Sequence, residues 1–300
     1  MNLSKYEKSL IFIFFIVAIY ASFFFYQDFK IKEKIRIKEE KEFVRIEKIK
    51  KDINVLDIEA KAVSVYDITD NKKLYGRNET VPMSLASLAK IMTILVALED
   101  KNNSPVIISK NALSEVGDNS LFLGEKWNKE DLIKFTLIMS SNDGAYALAE
   151  NDSTFINRMN SKAERLGLYN MAYQNVSGLD IDKQLYGAVG TAEEMNMLIE
   201  FALLGHRDIF QNTKEEEMDF TSLSLLEHKA INTNIIINKI PNLVFSKTGA
   251  TDLTGGNLSI VFKNKEGHEI AITILGSSIE GRFSDMEKIV NVLYNIENAS

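Results

Sequence analysis

The longest uninterrupted apolar stretch of the chain lies near its beginning. Residues 9–26 have the sequence SLIFIFFIVAIYASFFFY and carry no charged side chain. As a helix rising ~1.5 Å per residue, this stretch is just long enough to cross the hydrocarbon core of a bilayer. A secretory signal has a shorter apolar core and a small-x-small cleavage site, which this stretch matches poorly. The pattern predicts an uncleaved transmembrane anchor at 9–26. Basic residues flank it on both sides, so charge alone does not set its orientation; the candidate chemistry further along the chain favours a cytoplasmic tail at 1–8.

Charged residues alternate with isolated apolar ones over residues 27–56. Ile46, Ile49 and Ile53 are three or four positions apart, which is the spacing of one helix face. Acidic residues are interleaved with the lysines and arginines, so a solvated helix is favoured over a basic segment that contacts lipid head groups. The pattern predicts a charged helical stalk between the anchor and a globular part at 57–300.

Strand patterns cluster at the two ends of the globular part. A hairpin is predicted from two short alternating runs, at 62–66 and 73–76. Three more strands are predicted near the other end, at 242–246, 257–262 and 269–275. Helical spacing dominates the residues between these groups, and a last helix is predicted at 282–296.

Composition and charge narrow the chemistry. The chain has no cysteine, so disulfides, thiolate metal sites and cysteine nucleophiles are excluded. His206, His228 and His268 show no metal-binding spacing, and neither a metal site nor a Ser/His/Asp triad is indicated. The net charge is −7 although the first 52 residues are net basic. The globular part is therefore more acidic than the chain as a whole, which argues against nucleic-acid binding.

A serine and a lysine share one face of a very apolar predicted helix. After Pro82 the chain continues MSLASLAKIMTILVALED, in which Ser87 and Lys90 are spaced i, i+3 and are neighbours. In the ordinary interpretation Ser87 caps the helix and Lys90 extends to the surface. Burial in so apolar a helix would instead lower the pKa of Lys90 and make its neutral amine a base for Ser87. We favour an activated nucleophile pair.

A Ser-Ser-Asn triplet at 140–142 joins two predicted helices. A tight junction of this kind can aim Ser140 and Asn142 into a cleft. Taken alone, the triplet is equally well explained as caps for the two helices. A second S-x-N triplet, which starts at Ser109, follows a short strand and is typical of an ordinary capped helix start.

A Lys-Thr-Gly triplet closes the strand predicted at 242–246. It consists of Lys247, Thr248 and Gly249, and a turn-rich segment follows it. On an edge strand Gly249 would let a substrate backbone come close, and the lysine and threonine would offer a cation and a hydroxyl to a carboxylate. Taken alone, a solvent-facing lysine at a strand end is the simpler interpretation.

Together the three motifs resemble the signature of the D-alanyl-D-alanine carboxypeptidases, the low-molecular-mass serine penicillin-binding proteins that trim peptidoglycan stem peptides. Further matches follow in the family's order, at 175–180, at 232–234, at 275–276 and at Arg282 with Phe283. The resemblance extends from about Ala60 to the C-terminus.

The resemblance implies an α+β fold of the β-lactamase/transpeptidase-like type. An antiparallel sheet from both ends of the chain would carry helices on its outer face, with an all-helical subdomain on the other face and the site between them. Residues 57–300 would be the catalytic domain. Because the family's substrate lies outside the cell, the resemblance also implies a single-pass protein of the bacterial cell membrane with an extracytoplasmic catalytic domain.

The resemblance further implies acyl transfer without a metal or an organic cofactor. Ser87 would be the nucleophile, Lys90 its base, and Ser140 would relay a proton to the leaving D-alanine. The substrate-binding residues would be Asn142, Lys247, Thr248, Gly249 and Ala250, with Arg282 assisting. Backbone N–H groups of Ser87 and Ala250 would form the oxyanion hole. The sequence leaves open which lysine acts as the base.

Two other functions compete with a serine-type D-alanyl-D-alanine carboxypeptidase. A class A-like β-lactamase needs a carboxylate that activates the deacylating water, but residues 175–180 contain no E-x-x-L-N pattern and offer only Asp180. A catalytically idle, membrane-tethered wall-binding protein would keep the cleft for stem peptides. We favour the carboxypeptidase, with stem peptides ending in D-Ala-D-Ala as substrate and β-lactams as inhibitors.

Overall fold

A computed structural model describes residues 4–100, 102, 104–117 and 120–296. The first three residues of the predicted cytoplasmic tail and the last four of the predicted catalytic domain lie outside the described residues. Contacts divide the chain into one unit that ends at Lys48 and a second unit, Ile49–Ile296. Both units are described separately below.

The first unit is formed by helix α1 (Lys5–Asn54), whose last residues belong to the second unit. The helix continues without a break through the predicted anchor and nearly all of the predicted stalk. Its sequence contains neither glycine nor proline, the two residues that most readily interrupt a helix. Among the described residues it is the one helix long and apolar enough to cross a membrane. The division into anchor and stalk stays a prediction.

The second unit contains the remaining helices and all strands of the described chain. The helices are α2 (Lys90–Glu99), α3 (Lys129–Met139), α4 (Asn142–Ala149), α5 (Phe155–Arg165), α6 (Ala192–Phe210) and α7 (Gly281–Asn295). The strands are β1 (Ala62–Asp67), β2 (Lys72–Arg77), β3 (Met83–Ser84), β4 (Val106–Ile107), β5 (Lys126–Trp127), β6 (Ala172–Tyr173), β7 (Ala188–Gly190), β8 (Glu217–Thr221), β9 (Glu227–Ile231), β10 (Leu243–Thr251), β11 (Gly255–Lys263) and β12 (Glu269–Ser277).

Five strands from the two ends of this unit form one antiparallel sheet in the order β10-β11-β12-β1-β2. Ala62 of β1 pairs with Leu275 of β12. Helix α7 packs against β11 and β12, and helix α6 packs against β1 and β12. The central strands β11 and β12 are buried along almost their whole length, because helices cover them. The predicted α+β architecture is confirmed.

Helix α2 lies in the main hydrophobic core. Eight of its ten residues are buried, Lys90 among them. It packs against α4, α5 and α6, and its core contacts continue to Phe245 and Val261 of the sheet. The helix is therefore apolar all round, as expected for an element enclosed by its neighbours.

Two local predictions differ from the structure. Ser87 is not in the α-helix but in a 3-10 turn, Ala86–Ala89, which precedes α2. Ala86 has a φ of 49°, which is a left-handed backbone conformation and is incompatible with a right-handed α-helix. The α-helix therefore begins only after this turn, at Lys90. The Lys-Thr-Gly triplet lies inside β10 and does not close it, because the strand pairs with β11 as far as Thr251. Strand β10 lies at an edge of the main sheet, the position at which Gly249 can let a substrate backbone come close.

A second, smaller core lies under a hairpin that the sequence patterns did not predict. Strands β8 and β9 pair with each other, and Phe220 and Ala230 pack on Trp127 and Phe135. The two strands carry four acidic or basic residues on one exposed side, which hides their alternation in a search for apolar runs.

Gly249 lets strand β10 touch the turn that carries Ser87. A Cβ atom added at Gly249 would lie 2.8 Å from the carbonyl oxygen of Leu85 and 3.3 Å from the backbone nitrogen of Ser87. Backbone atoms cannot move aside as a flexible side chain can. The close packing of strand and turn therefore requires glycine at this position.

We expect Gly249→Ala to lower the free energy of unfolding by about 1–3 kcal/mol, as overpacking does in a tight core. Gly205→Ala is the matched control, because a Cβ atom there meets nothing within 4 Å; it should leave stability unchanged or slightly raised. Urea unfolding of both variants measures the difference. Equal stabilities for the two variants would contradict the packing described here.

Candidate active site

Lys90 is the buried centre of the site. Its side chain is fully enclosed, and its Nζ donates to Ser87 Oγ at 2.9 Å, to Asn142 Oδ1 at 2.7 Å and to the carbonyl oxygen of Ser177 at 2.8 Å. Burial lowers the pKa of Lys90 to about 7, because an ammonium ion loses its hydration there. A large fraction of the amine is therefore neutral at physiological pH, next to the Ser87 hydroxyl.

The junction between α3 and α4 divides two tasks between adjacent serines. Ser141 Oγ accepts from the backbone N–H of Gly144 at 2.9 Å and so caps α4. Ser140 ends α3 in the left-handed conformation, with φ 58°, and its hydroxyl is left for the cleft. Helix capping therefore does not account for Ser140 and Asn142, which both contact the site lysines.

The other S-x-N triplet has the capping role predicted for it. Ser109 Oγ accepts from the backbone N–H of Ala112 at 3.0 Å and donates to Glu150 at 2.6 Å. This contact holds the start of a short 3-10 turn, Ala112–Ser114. The described contacts of Ser109 include neither site lysine.

Lys247 is the second buried amine. It is 2% exposed, and its Nζ donates to Ser140 Oγ at 2.7 Å. Burial holds the pKa of Lys247 well below its ordinary value, and the positive charges of Lys90 and Arg282 lower it further. Because two ammonium groups repel each other in a site of low dielectric, protonation of one of the two lysines disfavours protonation of the other.

Strand β10 presents backbone donors at its open edge. The N–H of Ser246 points away from β11, since it donates to Thr213 Oγ1 at 3.0 Å. Backbone groups alternate in direction along a strand, so the N–H groups of Thr248 and Ala250 also point to this edge. The N–H of Ala250 can therefore work together with that of Ser87, which lies close to Gly249.

Two further side chains surround the Lys-Thr-Gly segment. Thr248 Oγ1 lies 2.6 Å from Thr233 Oγ1, and the guanidinium of Arg282 donates to the carbonyl oxygen of Gly249 at 2.8 Å. Arg282 is 9% exposed, and burial lowers its pKa. A hydroxyl pair and a cation thus lie at one end of the cleft, where a carboxylate can be bound.

The structure brings the candidate residues of the three motifs close together. Ser87, Lys90, Ser140, Asn142 and Lys247 are joined by direct hydrogen bonds in two groups. Sequence reasoning gave no role to Thr233 or Ser177, although both lie in segments that resemble the family.

Comparison with known proteins gives a consistent result. The model of the D-alanyl-D-alanine carboxypeptidase family, Peptidase S11, matches residues 48–278. The D-alanyl-D-alanine carboxypeptidase DacF of Bacillus subtilis is 28% identical over 249 residues, which cover 79% of this chain and 62% of DacF. The chain thus spans about three fifths of the length of this relative.

Solved structures share the fold. Penicillin-binding protein D2 of Listeria monocytogenes, in its ampicillin-bound form, superposes with a TM-score of 0.70 at 28% identity, covering 80% of this chain and 99% of that one. A D-alanyl-D-alanine carboxypeptidase of Mycobacterium tuberculosis gives a TM-score of 0.73 at 22% identity, covering 81% and 94%; at this identity the likeness concerns the fold. Since the family model covers most of the chain, this protein belongs to the D-alanyl-D-alanine carboxypeptidase family, Peptidase S11.

Proposed function

We propose that this protein is a serine-type D-alanyl-D-alanine carboxypeptidase that removes the terminal D-alanine of peptidoglycan stem peptides. One observation carries the proposal: a fully buried amine with a pKa of about 7, Lys90, lies 2.9 Å from the hydroxyl of Ser87. Family membership supports the same reaction. Neither the β-lactamase nor the idle wall-binding protein is favoured by these findings.

Acylation begins with a proton transfer. Neutral Lys90 takes the proton of Ser87, whose oxygen attacks the carbonyl carbon of the D-Ala-D-Ala bond. The N–H groups of Ser87 and Ala250 bind the oxyanion that forms; in other enzymes the loss of one such donor costs about 2.7–4 kcal/mol. The carboxylate of the substrate lies near Thr248 and Arg282, and Asn142 holds the peptide amide.

Lys247 and Ser140 complete the proton balance. When the C–N bond breaks, Ser140 gives its proton to the leaving nitrogen and Lys247 replaces that proton. Lys90 is then protonated and Lys247 is neutral. In the second half-reaction water attacks the acyl carbon, its proton passes through Ser140 to Lys247, and Lys90 returns its proton to Ser87. The site ends as it began, with Lys90 neutral and Lys247 protonated.

We expect Ser87→Ala to abolish the release of D-alanine from a diacetyl-lysyl-D-Ala-D-Ala peptide, because no other hydroxyl receives a hydrogen bond from Lys90 among the described residues. A coupled D-alanine assay on the purified chain measures this. Ser104→Ala, an exposed serine, is the control and should keep wild-type activity. Absence of D-alanine release by the wild-type protein would refute the proposed function.

Labelling by fluorescent penicillin separates the competing functions. A carboxypeptidase should form a stable adduct that is lost in Ser87→Ala. A β-lactamase would turn the drug over rapidly, and its hydrolytic water would need a carboxylate. Asp180 is the candidate; its Oδ2 accepts a hydrogen bond from the backbone N–H of Leu253 at 3.3 Å. An idle wall-binding protein would not be labelled.

We expect the rate of acylation to rise with pH through about 7, because only neutral Lys90 can accept the proton of Ser87. Below this value the rate should fall about tenfold per pH unit. The second-order rate constant for labelling by fluorescent penicillin, measured at a series of pH values, tests the expectation. Lys90→Arg should be unreactive throughout, since its guanidinium stays protonated. A rate that is constant across neutral pH would exclude Lys90 as the base.

We further propose that residues 9–26 anchor the protein in the bacterial cell membrane as a single-pass helix, with the catalytic domain outside the cytoplasm. The uncharged stretch within α1 supports this, and peptidoglycan lies on that side. Sequencing the N-terminus of protein extracted from membranes should give the intact chain. A new N-terminus after residue 26 would show instead that the segment is a cleaved signal.

A further inference from the structure

Glu115 is a half-buried acidic residue that the proposed reaction does not use. It follows the 3-10 turn Ala112–Ser114. Its carboxylate forms no hydrogen bond or ion pair with any residue that the structure describes, although it is only partly open to solvent. An unpaired acid of this kind beside a catalytic site calls for an explanation.

The backbone next to Glu115 is tied to the ligand shell of Lys90. Val116, the following residue, accepts a hydrogen bond from Asn142 Nδ2 through its carbonyl oxygen at 2.5 Å. The other end of the same amide, Asn142 Oδ1, accepts from Lys90 Nζ at 2.7 Å. Asn142 thus fixes the segment that bears Glu115 relative to the buried amine.

A cavity of about 210 Å³ contains Glu115 and one of the hydrogen-bond partners of Lys90. Glu115 lines it, and so does Ser177, whose carbonyl oxygen accepts from Lys90. Phe155, Ile156 and Val176 supply apolar wall. Because the side chain of Lys90 is fully enclosed, dielectric screening is weak around it, and a charge on Glu115 acts on Lys90 more strongly than it would across bulk water.

The other acids of this cavity already have partners. Glu150 accepts from Ser109 at 2.6 Å, and Asp152 pairs with Arg158 at 2.7 Å. Each is therefore at least partly compensated by a local donor. Glu115 is the acid of the cavity, within the described range of the chain, whose charge is left for Lys90.

We propose that Glu115 is a positioning residue of the acyl-transfer site, whose negative charge holds a proton on Lys90 and thereby sets the pH at which Ser87 becomes reactive. The effect of Glu115 on the reaction rate rests on the proposed function, whereas its effect on the protonation of Lys90 does not.

Electrostatics of the surrounding groups support this role. Burial lowers the pKa of Lys90, and the negative charge of Glu115 opposes that effect. Conversely, burial raises the pKa of Glu115 and the charge of Lys90 lowers it. From β10, Lys247 faces Lys90 as a second amine. Helix α4 also packs against α2. Its residue Asn142 carries no charge, and the acidic residue Asp143 interacts with another residue.

The charge has two opposite effects on the rate. It reduces the neutral fraction of Lys90 at a given pH, and it stabilises the ammonium ion that Lys90 becomes when it takes the Ser87 proton. Removing the charge should therefore move the acid limb of the pH profile to lower pH and also lower the plateau at high pH, since a weaker base transfers the proton less readily. A merely structural role would lower the plateau without moving the limb.

The test compares Glu115→Gln and Glu115→Asp in the full chain, with Glu150→Gln as the matched control from the same cavity. We expect the midpoint of penicillin acylation to fall by roughly half to one pH unit in Glu115→Gln, with a plateau about twofold lower. Glu115→Asp keeps the charge, so its midpoint should stay near that of the wild type, as should that of Glu150→Gln. A midpoint in Glu115→Gln equal to or above the wild-type value, or an equal shift in Glu150→Gln, would overturn the proposal.

A second measurement does not depend on catalysis. Titration of protein labelled with ¹³C at the lysine Cε, with the Lys90 signal assigned through Lys90→Met, reports the protonation of Lys90 directly by NMR. A lower titration midpoint in Glu115→Gln supports the inference even if penicillin does not react with the wild-type protein, in which case the proposed function alone has failed. An unchanged Lys90 midpoint overturns the inference whatever the activity.

Discussion

The burial of one amine is the constraint on which the rest of this molecule depends. Lys90 begins a helix whose buried residues are almost all apolar. One of its three polar contacts comes from Ser87 in the adjoining turn, and the other two come from Asn142 and Ser177, which are distant in the sequence. A charged lysine there would cost several kcal/mol of hydration energy, and this cost makes the amine a base. The fold thus gives up stability at this position to obtain reactivity, as functional sites often do.

Two glycines allow the backbone to pack closely around Ser87 and so fix its position relative to Lys90. Gly249 allows strand β10 to touch the turn before α2, and Gly178 lies so close to the carbonyl of Ala86 that a Cβ atom would be 1.9 Å from that oxygen. The turn is therefore enclosed from two sides by backbone. Ser87 is positioned by the shape of its surroundings as much as by its hydrogen bond to Lys90.

The sequence alone predicted much of the site because its chemistry lies in short, local motifs. Ser87 and Lys90 are three positions apart, and the apolar helix around them already indicates a lowered pKa. The sequence could not show whether Ser140 caps a helix, because the answer depends on whether Ser141 accepts the capping hydrogen bond from Gly144. Glu115 had no local signal, since its relation to Lys90 passes through α4 and the segment at Ser177. The β8–β9 hairpin was missed because its exposed side is charged.

The order of strands in the main sheet also has a consequence for folding. Strand β1 pairs with β12, and Ala62 lies opposite Leu275. One edge of β1 therefore stays unpaired until the last strand of the chain has been made. Long separations in sequence between paired strands slow folding. The surroundings of Ser87 are therefore completed late in folding, when strands β10 to β12 pack against the helices. In a chain that is still being synthesised, Ser87 and Lys90 are present but the rest of the site is missing, so they are not yet reactive.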